Sequence, residues 1–202
     1  MLKDPTGQLF TKFLDKDGNE ILNIDDGSNA VFKLTGNDRS EEYFKFSHYD
    51  ASQGGKDFID FASVIQGAQF YTLKNYTSVF NDKGDCTQTF CNYGTMNIAR
   101  TYESAVNAAG MTTNISDIQG SARTIGDNLS KSEVVKSLST LADAQKSAKE
   151  GGLVIGYWPG HVFTLNKEGK VNNVGAPRAT NNIFDPKYTE KNNQKFYLIL
   201  TW

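Results

Sequence analysis

Two cysteines and two histidines are the residues of this 202-residue chain best suited to nucleophilic or metal chemistry. Cys86 and Cys91 lie close together, whereas His48 and His161 are far apart in the sequence. Zinc sites usually pair their ligands, as in C-x2-C with H-x3-H, so this spacing argues against a metal, and no cofactor is expected. A disulfide between the two cysteines would close a very short loop and stabilise little. A buried thiol with a packing role is the ordinary alternative for either cysteine.

A helix is predicted directly after Cys91. Apolar residues recur there in steps of three and four, which is the pattern of a helix with one buried face, and Gly110 is well placed to end it. The apolar stripe consists of Met96, Ala99, Tyr102, Val106 and Ala109. Because the positive end of a helix dipole favours the thiolate, Cys91 is the candidate nucleophile. Cys86 would fall outside the first turn and is the alternative.

The candidate base is His161, which lies on a strong strand pattern. The buried-type run Leu153–Trp158 is followed by a Pro-Gly turn and by His161–Leu165, so the sequence predicts a β-hairpin. An imidazole on this hairpin, facing the start of the cysteine helix, would form the Cys–His arrangement of papain-like enzymes. A core histidine bonded to a backbone carbonyl is the ordinary alternative. For His48 the sequence identifies no partner.

The register of the next strand pair selects a residue to orient the imidazole. If the loop after the histidine strand is Asn166–Lys170, Leu165 pairs with the residue after the loop, and Asn173 shares a face with His161. A slip by one residue would instead put Asn172 on that face, together with a buried lysine. Asn173 is therefore the preferred orienting amide, and Asn172 is the alternative. An amide can fix the imidazole tautomer without adding a charge.

Several segments resemble NlpC-type and CHAP-type peptidoglycan hydrolases. Thr89–Asn92 (TFCN), which opens the predicted helix, resembles their cysteine segment, and Gly160–Val162 (GHV) resembles their histidine motif. Similar segments between them are Gly120–Leu129 (a small-residue helix), Asp143–Ala148 (the following helix) and Gly151–Trp158 (the central strand). The resemblance covers about residues 84 to 202.

This resemblance implies a papain-like α+β fold in which the cysteine helix packs on an antiparallel sheet. It implies a cysteine peptidase or amidase that cleaves peptide or amide bonds of the peptidoglycan stem peptide. Its catalytic residues would be Cys91, His161 and Asn173, with no metal or cofactor. Asp85-Cys86 is also similar to the Asp-Cys pair of NlpC-type enzymes, which keeps Cys86 as a competing nucleophile.

The N-terminal part reads as short strands and turns. A Gly-centred turn between Leu9–Leu14 and Ile21–Ile24 predicts a hairpin, and Ala30–Leu34 predicts a further strand. We therefore divide the chain into a β-rich extension, residues 1–80, and a hydrolase domain, residues 81–202. The extension resembles the junction before the C-terminal toxin domains of Rhs-type polymorphic toxins. That resemblance implies a secreted antibacterial effector, delivered to the periplasm or cell wall of a target bacterium, with a cognate immunity protein.

The remaining patterns complete an α+β layout, in which helices come first and antiparallel strands follow. Apolar spacing defines the helices, and continuous apolar runs define the strands. The predicted elements are a short helix over Lys56–Gln69, a strand or aromatic-lined loop over Phe70–Phe80, helices over Ser116–Leu129 and Ser132–Lys149, and strands over Val171–Val174 and Lys195–Trp202.

Composition excludes several classes of protein. With 38% hydrophobic residues and a net charge of −2, the chain is not of the disordered type. It has no basic run, which argues against a nucleic-acid partner, and no apolar run long enough for a membrane helix. Met1–Pro5 does not start a signal peptide.

Two other functions fit the candidate site residues. One is a papain-like toxin that acts on a protein as a protease, deamidase or transglutaminase, and the other is a non-enzymatic binding module.

Overall fold

The computed structural model describes residues 9–35, 44–49, 58–76, 79–80, 86–88, 90–172 and 194–202. The chain begins with a four-stranded sheet, here called the first sheet, in the order β2-β1-β3-β4. Its strands are β1 (Phe10–Leu14), β2 (Glu20–Asp25), β3 (Val31–Thr35) and β4 (Lys45–His48). The predicted hairpin and the strand after it are confirmed: β1 and β2 pair antiparallel, while β3 lies parallel to β1.

The turn of this hairpin is closed by one carboxylate. Asp15 accepts hydrogen bonds from the backbone N–H groups of Asp17 (2.9 Å) and Asn19 (2.7 Å), and Gly18 has a φ of 93°, which glycine adopts without steric cost. The Asn19 side-chain amide also donates to Asp15 and holds the pKa of this carboxyl below its usual value. The local Asp-Gly-Asn sequence is thus sufficient to reverse the chain.

Four helices are present among the described residues, namely α1 (Phe61–Asn75), α2 (Cys91–Ala108), α3 (Ala122–Leu129) and α4 (Leu141–Lys149). The predicted helix over Lys56–Gln69 is confirmed only in part, because α1 starts after the Asp60 cap and continues to Asn75. The prediction of a strand or loop from Phe70 is therefore wrong as far as Asn75. Aromatic residues favour strands only weakly, and here the rings of Tyr71 and Tyr76 pack against the first sheet.

The prediction of one long helix over Ser132–Lys149 is also wrong. The structure has a strand, β7 (Val135–Leu138), followed by α4, whose cap Thr140 accepts from the Asp143 N–H at 3.1 Å. Val135 and Leu138 fit a helical spacing, but each instead pairs with a strand close to the C-terminus. The predicted helix over Ser116–Leu129 likewise begins later, at Ala122, after a Ser121 cap.

The second sheet has five strands in the order β10-β9-β8-β11-β7, and each neighbouring pair is antiparallel. Besides β7, its strands are β8 (Val154–Trp158), β9 (His161–Leu165), β10 (Val171–Asn172) and β11 (Lys195–Ile199). A short pair, β5 (Val79–Phe80) and β6 (Cys86–Gln88), precedes α2. Helices and antiparallel-rich sheets together confirm the α+β class. None of the described helices is long and apolar enough to cross a membrane.

The two faces of the second sheet are covered by different helices. Leu153, Ile155 and Val162 belong to a buried cluster with residues of α1, α2 and α3. Phe163 and Leu165 belong to another, with Ala144 and Ala148 of α4. Because successive side chains of a strand point to opposite faces, we call these the α2 face and the α4 face.

Helix α2 also closes the edge of the first sheet. Three polar side chains on one stripe of α2 accept from the outward N–H groups of β4 and the residue before it, so this edge has no unsatisfied donors there. The pairs are Asn97 Oδ1 with Phe44 (3.2 Å), Thr101 Oγ1 with Phe46 (3.1 Å) and Ser104 Oγ with His48 (3.0 Å). These contacts tie the predicted extension directly to the predicted hydrolase domain. The division at residue 80 stays a prediction.

Tyr102 links α2 to the start of β8 and supplies a prediction about pH. Its ring is 3% exposed, and burial raises the pKa of Tyr102 to about 12, while a hydrogen bond with the Leu153 backbone lowers it only in part. A phenol with a raised folded-state pKa stabilises the fold fully below its unfolded pKa, near 10, and this contribution disappears as the pH rises toward 12. We therefore expect the thermal unfolding midpoint of the wild type to decrease as the pH is raised from 10 to 12.

In Tyr102→Phe the same measurement should show a clearly smaller fall across this range, because the phenylalanine has no proton to lose. The comparison is made by thermal unfolding at pH 9, 10, 11 and 12, with the pH 9 values as the reference for each protein. Parallel curves for the two proteins would contradict the burial of an unionised phenol at this position.

Candidate active site

Cys91 is the first residue of α2. The preceding residue, Phe90, caps the helix without a side-chain hydrogen bond, and the first turn contains no acidic residue. The N–H groups at the start of a helix have no partner within the helix and carry its partial positive charge. The thiol is 3% exposed and belongs to the cluster on the α2 face. The Cys91 side chain is thus packed among apolar residues at the start of the helix.

Cys86 occupies a different kind of position. It lies on the short strand β6, opposite Phe80, and not on the helix. Cys91 is a thiol and not half of a disulfide, so the structure does not contain the bridge considered from the sequence. The helix placement on which Cys91 was preferred is confirmed, whereas its role as the nucleophile stays a prediction.

The predicted hairpin that carries His161 is confirmed. Trp158 pairs with His161 across a two-residue connection, Pro159-Gly160. Proline presets the first turn residue, and Gly160 has a φ of 87°, which is the geometry of a type II turn. His161 is consequently the first residue of β9 and sits at the end of the sheet.

The register after β9 is also the predicted one. Val171 pairs with Leu165 and Asn172 with Thr164, so the slipped register that would select Asn172 is not the one observed. The preferred orienting residue, Asn173, lies outside the described residues. Its role stays a prediction.

The start of α2 and the end of β8 are connected through the buried cluster on the α2 face. The residues after α2 are bound to the C-terminus: the Thr112 N–H donates to the Trp202 carbonyl at 2.8 Å. That end of the sheet holds the start of β8, where Tyr102 meets Leu153. Tyr157, near the other end of β8, packs against the cluster that contains Cys91. His161 directly follows the β8–β9 turn.

Cys91 and His161 lie on opposite sides of the second sheet. Val162 shares the buried cluster of Cys91, whereas the His161 ring lies 4.5 Å from Trp158 and 6.1 Å from Phe163, measured between ring centroids. Phe163 belongs to the α4 face. The structure therefore differs from the expectation that the imidazole faces the start of α2, because the odd-numbered side chains of β9 point toward α4.

Trp158 contacts His161, and the sequence analysis did not identify this contact. Its position immediately before the Pro-Gly turn was the available signal, because the residues flanking a two-residue turn pair across the hairpin. Trp158 also lies 5.1 Å from Phe163. The histidine is therefore part of an aromatic stack.

The α2 face at this end holds two further polar groups. The Asn92 side chain donates to the Gly120 carbonyl at 2.9 Å, which joins the start of α2 to the segment before α3. The half-buried ring of Tyr157 lies against Gly126, where a Cβ would be 2.3 Å from the ring. The small residue in α3 thus allows Tyr157 to approach the face that carries Cys91.

The other histidine has a structural role. The His48 ring packs edge-on against Phe32 at 5.6 Å, and the His48 backbone N–H donates to Ser104 Oγ of α2. In the part of the chain that the structure describes, no group of three histidine, cysteine or acidic residues is arranged to hold a metal.

Comparisons with known proteins add no family to this picture. No family model, no curated protein and no solved structure matches the chain significantly.

Proposed function

We propose that this protein is a papain-like cysteine hydrolase of the NlpC/CHAP type, which cleaves peptide or amide bonds of bacterial peptidoglycan. The observation that supports the proposal is the position of Cys91 as the first residue of α2, together with that of His161 as the first residue of β9 after a tight turn. The resemblance of the segments around both residues supplies the substrate class. Under this proposal the chain acts as an antibacterial effector, and the producer holds a cognate immunity protein.

The reaction uses two side chains. His161 takes the proton of the Cys91 thiol, and the thiolate attacks the carbonyl carbon of the scissile amide. The backbone N–H groups at the start of α2 stabilise the resulting oxyanion. The C–N bond then breaks, His161 returns the proton to the leaving amine, and a thioester to Cys91 remains. Water activated by His161 hydrolyses this thioester and regenerates the thiol.

The reaction requires the His161 imidazole and the Cys91 thiol to meet, although their side chains lie on opposite faces of the sheet. His161 is the first residue of its strand and directly follows the β8–β9 turn, so a rearrangement of the backbone at this turn, and not a rotation about χ1 alone, has to bring the ring to the α2 face. Asn173 would then orient the imidazole, as the resemblance implies.

A binding module is the second candidate, and one observation favours it. The Cys91 thiol is 3% exposed, and the His161 ring stacks on the opposite face, so both residues also fit purely structural roles. In that case neither side chain would affect any reaction.

The test incubates the purified protein with peptidoglycan under reducing conditions, and mass spectrometry identifies the released fragments. Walls with different stem peptides are compared, because the residue at the cleaved bond defines the specificity. Release of stem-peptide fragments is the expected result. If no wall is cleaved, the wall-hydrolase proposal is overturned, and protein substrates become the next ones to examine.

A further inference from the structure

The sequence contains two Asp-Gly pairs, Asp17-Gly18 and Asp26-Gly27, and both lie in connections of the first sheet. Glycine has no side chain to hinder an attack by its backbone nitrogen on the preceding carboxyl group. The two pairs match in the surroundings of the glycine. Each glycine has a positive φ, 93° and 75° respectively, and its N–H donates to a backbone carbonyl at 3.2 Å. At both positions the space for a Cβ is open.

The carboxylates of the two pairs have different surroundings. Asp26 accepts from the Thr11 N–H at 3.1 Å, from the Thr11 hydroxyl at 2.7 Å and from the Ser28 N–H at 2.9 Å. Thr11 is fully buried, so these bonds hold the carboxylate in one position. Asp17 is exposed, and its carboxylate accepts no hydrogen bond within the part of the chain that the structure describes. The Asp17 side chain can therefore turn toward the nitrogen of Gly18.

We propose that Asp17-Gly18 is a site of spontaneous isomerisation to isoaspartate, and that its hydrogen bonds protect Asp26-Gly27 from the same reaction. The Gly18 nitrogen attacks the side-chain carboxyl carbon of Asp17, a C–N bond forms, and one water leaves to give a cyclic succinimide. One water then opens this ring. Where the water adds to the former backbone carbonyl, the chain continues through the side chain, and the product is isoaspartate. The two steps release and consume one water and need no cofactor.

The product alters the turn in which it forms. Isoaspartate adds one carbon to the backbone before Gly18, and the Asp15 carboxylate binds N–H groups on both sides of that point, those of Asp17 and Asn19. The extra carbon separates these two N–H groups, so the present geometry of the turn is lost. The new α-carboxylate is exposed on the turn. The class of enzyme that would act on it is a methyltransferase that esterifies isoaspartyl carboxylates.

The test incubates the purified protein at 37 °C and pH 7.4 and follows both pairs in the same sample. Pepsin digests the protein, liquid chromatography separates the isomeric peptides, and electron-transfer fragmentation identifies the isomerised residue. We expect isoaspartate to accumulate at Asp17 at least about tenfold faster than at Asp26, because the Asp26 carboxylate has to give up three hydrogen bonds before it reacts.

Two variants separate the contributions of the two carboxylates. Asp17→Glu keeps the charge but would require a six-membered ring, which forms much more slowly, so the isomer at position 17 should disappear. Thr11→Val removes the hydroxyl that donates to Asp26, so isoaspartate should form faster at Asp26 and at an unchanged rate at Asp17. Circular dichroism verifies that each variant is folded.

Unfolded protein provides the third comparison. In guanidinium chloride neither carboxylate keeps its folded surroundings, and the glycines are followed by the small polar residues Asn19 and Ser28. The two wild-type rates should therefore become similar. A rate ratio that is the same in the folded and the unfolded protein would overturn the proposal, because the difference would then come from the local sequence.

Two further outcomes would overturn the proposal. Equal rates in the folded protein, or a faster rate at Asp26, would mean that the hydrogen bonds of Asp26 give no protection. Absence of isoaspartate at Asp17 while the unfolded protein accumulates it would mean that the bond from Gly18 to the Asp15 carbonyl is sufficient to protect the turn. None of these measurements involves Cys91 or His161, so they are independent of the proposed function.

Discussion

Replacing Cys91 by serine should reduce peptidoglycan cleavage by about 10⁴-fold, because removal of the nucleophile leaves only substrate binding and oxyanion stabilisation. Serine has nearly the shape of cysteine, but its hydroxyl does not form an anion at the start of α2 at neutral pH. Cys91 is 3% exposed, and the serine variant should therefore retain the packing around this position while it lacks the thiolate nucleophile. The initial rate of fragment release, measured by mass spectrometry, provides the comparison.

His161→Ala should lower the same rate by about 10² to 10⁴, the usual contribution of a positioned general base. Cys86→Ala is the matched control, since Cys86 lies on β6 and not on the helix, and it should remain active. Activity that survives in Cys91→Ser and disappears in Cys86→Ala would transfer the role of nucleophile to Cys86. Full activity in both variants would exclude cysteine catalysis altogether.

Gly67→Ala should destabilise the fold by about 3 kcal/mol, although alanine is the better helix former by about 1 kcal/mol. Gly67 lies in the middle of α1, and a Cβ there would be 2.2 Å from the Phe13 ring of β1. The ring cannot move aside, because it is 1% exposed and packs against Phe32 at 5.7 Å and Phe46 at 5.1 Å. Thermal unfolding should show a midpoint lower by roughly 6 to 12 °C.

The double variant Gly67→Ala/Phe13→Leu separates this contact from other causes. The smaller leucine leaves room for the new methyl group, so the loss from Gly67→Ala should be smaller in this background, and a double-mutant cycle measures the difference. Lys74→Ala, at an exposed position of the same helix, should change the midpoint little. A higher thermal unfolding midpoint in Gly67→Ala would show that helix propensity outweighs the steric conflict. It would contradict the close contact between Gly67 of α1 and Phe13 of the first sheet.

Local patterns were sufficient for the elements that later carry the site. The Asp-Gly-Asn turn, the Pro-Gly turn before His161 and the glycine that follows α2 each act within a few residues, so the sequence predicted the two hairpins and the helix that starts at Cys91. The register that pairs Leu165 with Val171 was predictable too, because a slip would bury a lysine. The α+β class follows from these elements.

Segments with ambiguous local patterns were decided by their partners in space. Val135 and Leu138 fit a helix as well as a strand, and they form a strand because β11 offers an unpaired edge to them. The aromatic run after Gln69 continues α1, since Tyr71 and Leu73 pack against the first sheet from a helix. The polar stripe of α2 that binds β4 had no local signal, because its three partners come from a distant part of the chain.

The relative placement of Cys91 and His161 shows most clearly what the local sequence determines and what only the tertiary structure determines. Alternation along β9 determined from the sequence that His161 and Phe163 share one face of the sheet. It did not determine which helix covers that face, because the placement of α2 and α4 depends on contacts between residues far apart in the chain. Only the tertiary structure placed α4 over the face of Phe163 and α2 over the face of Val162, and thereby put the His161 ring beside Trp158 and Phe163 and Cys91 on the other side of the sheet.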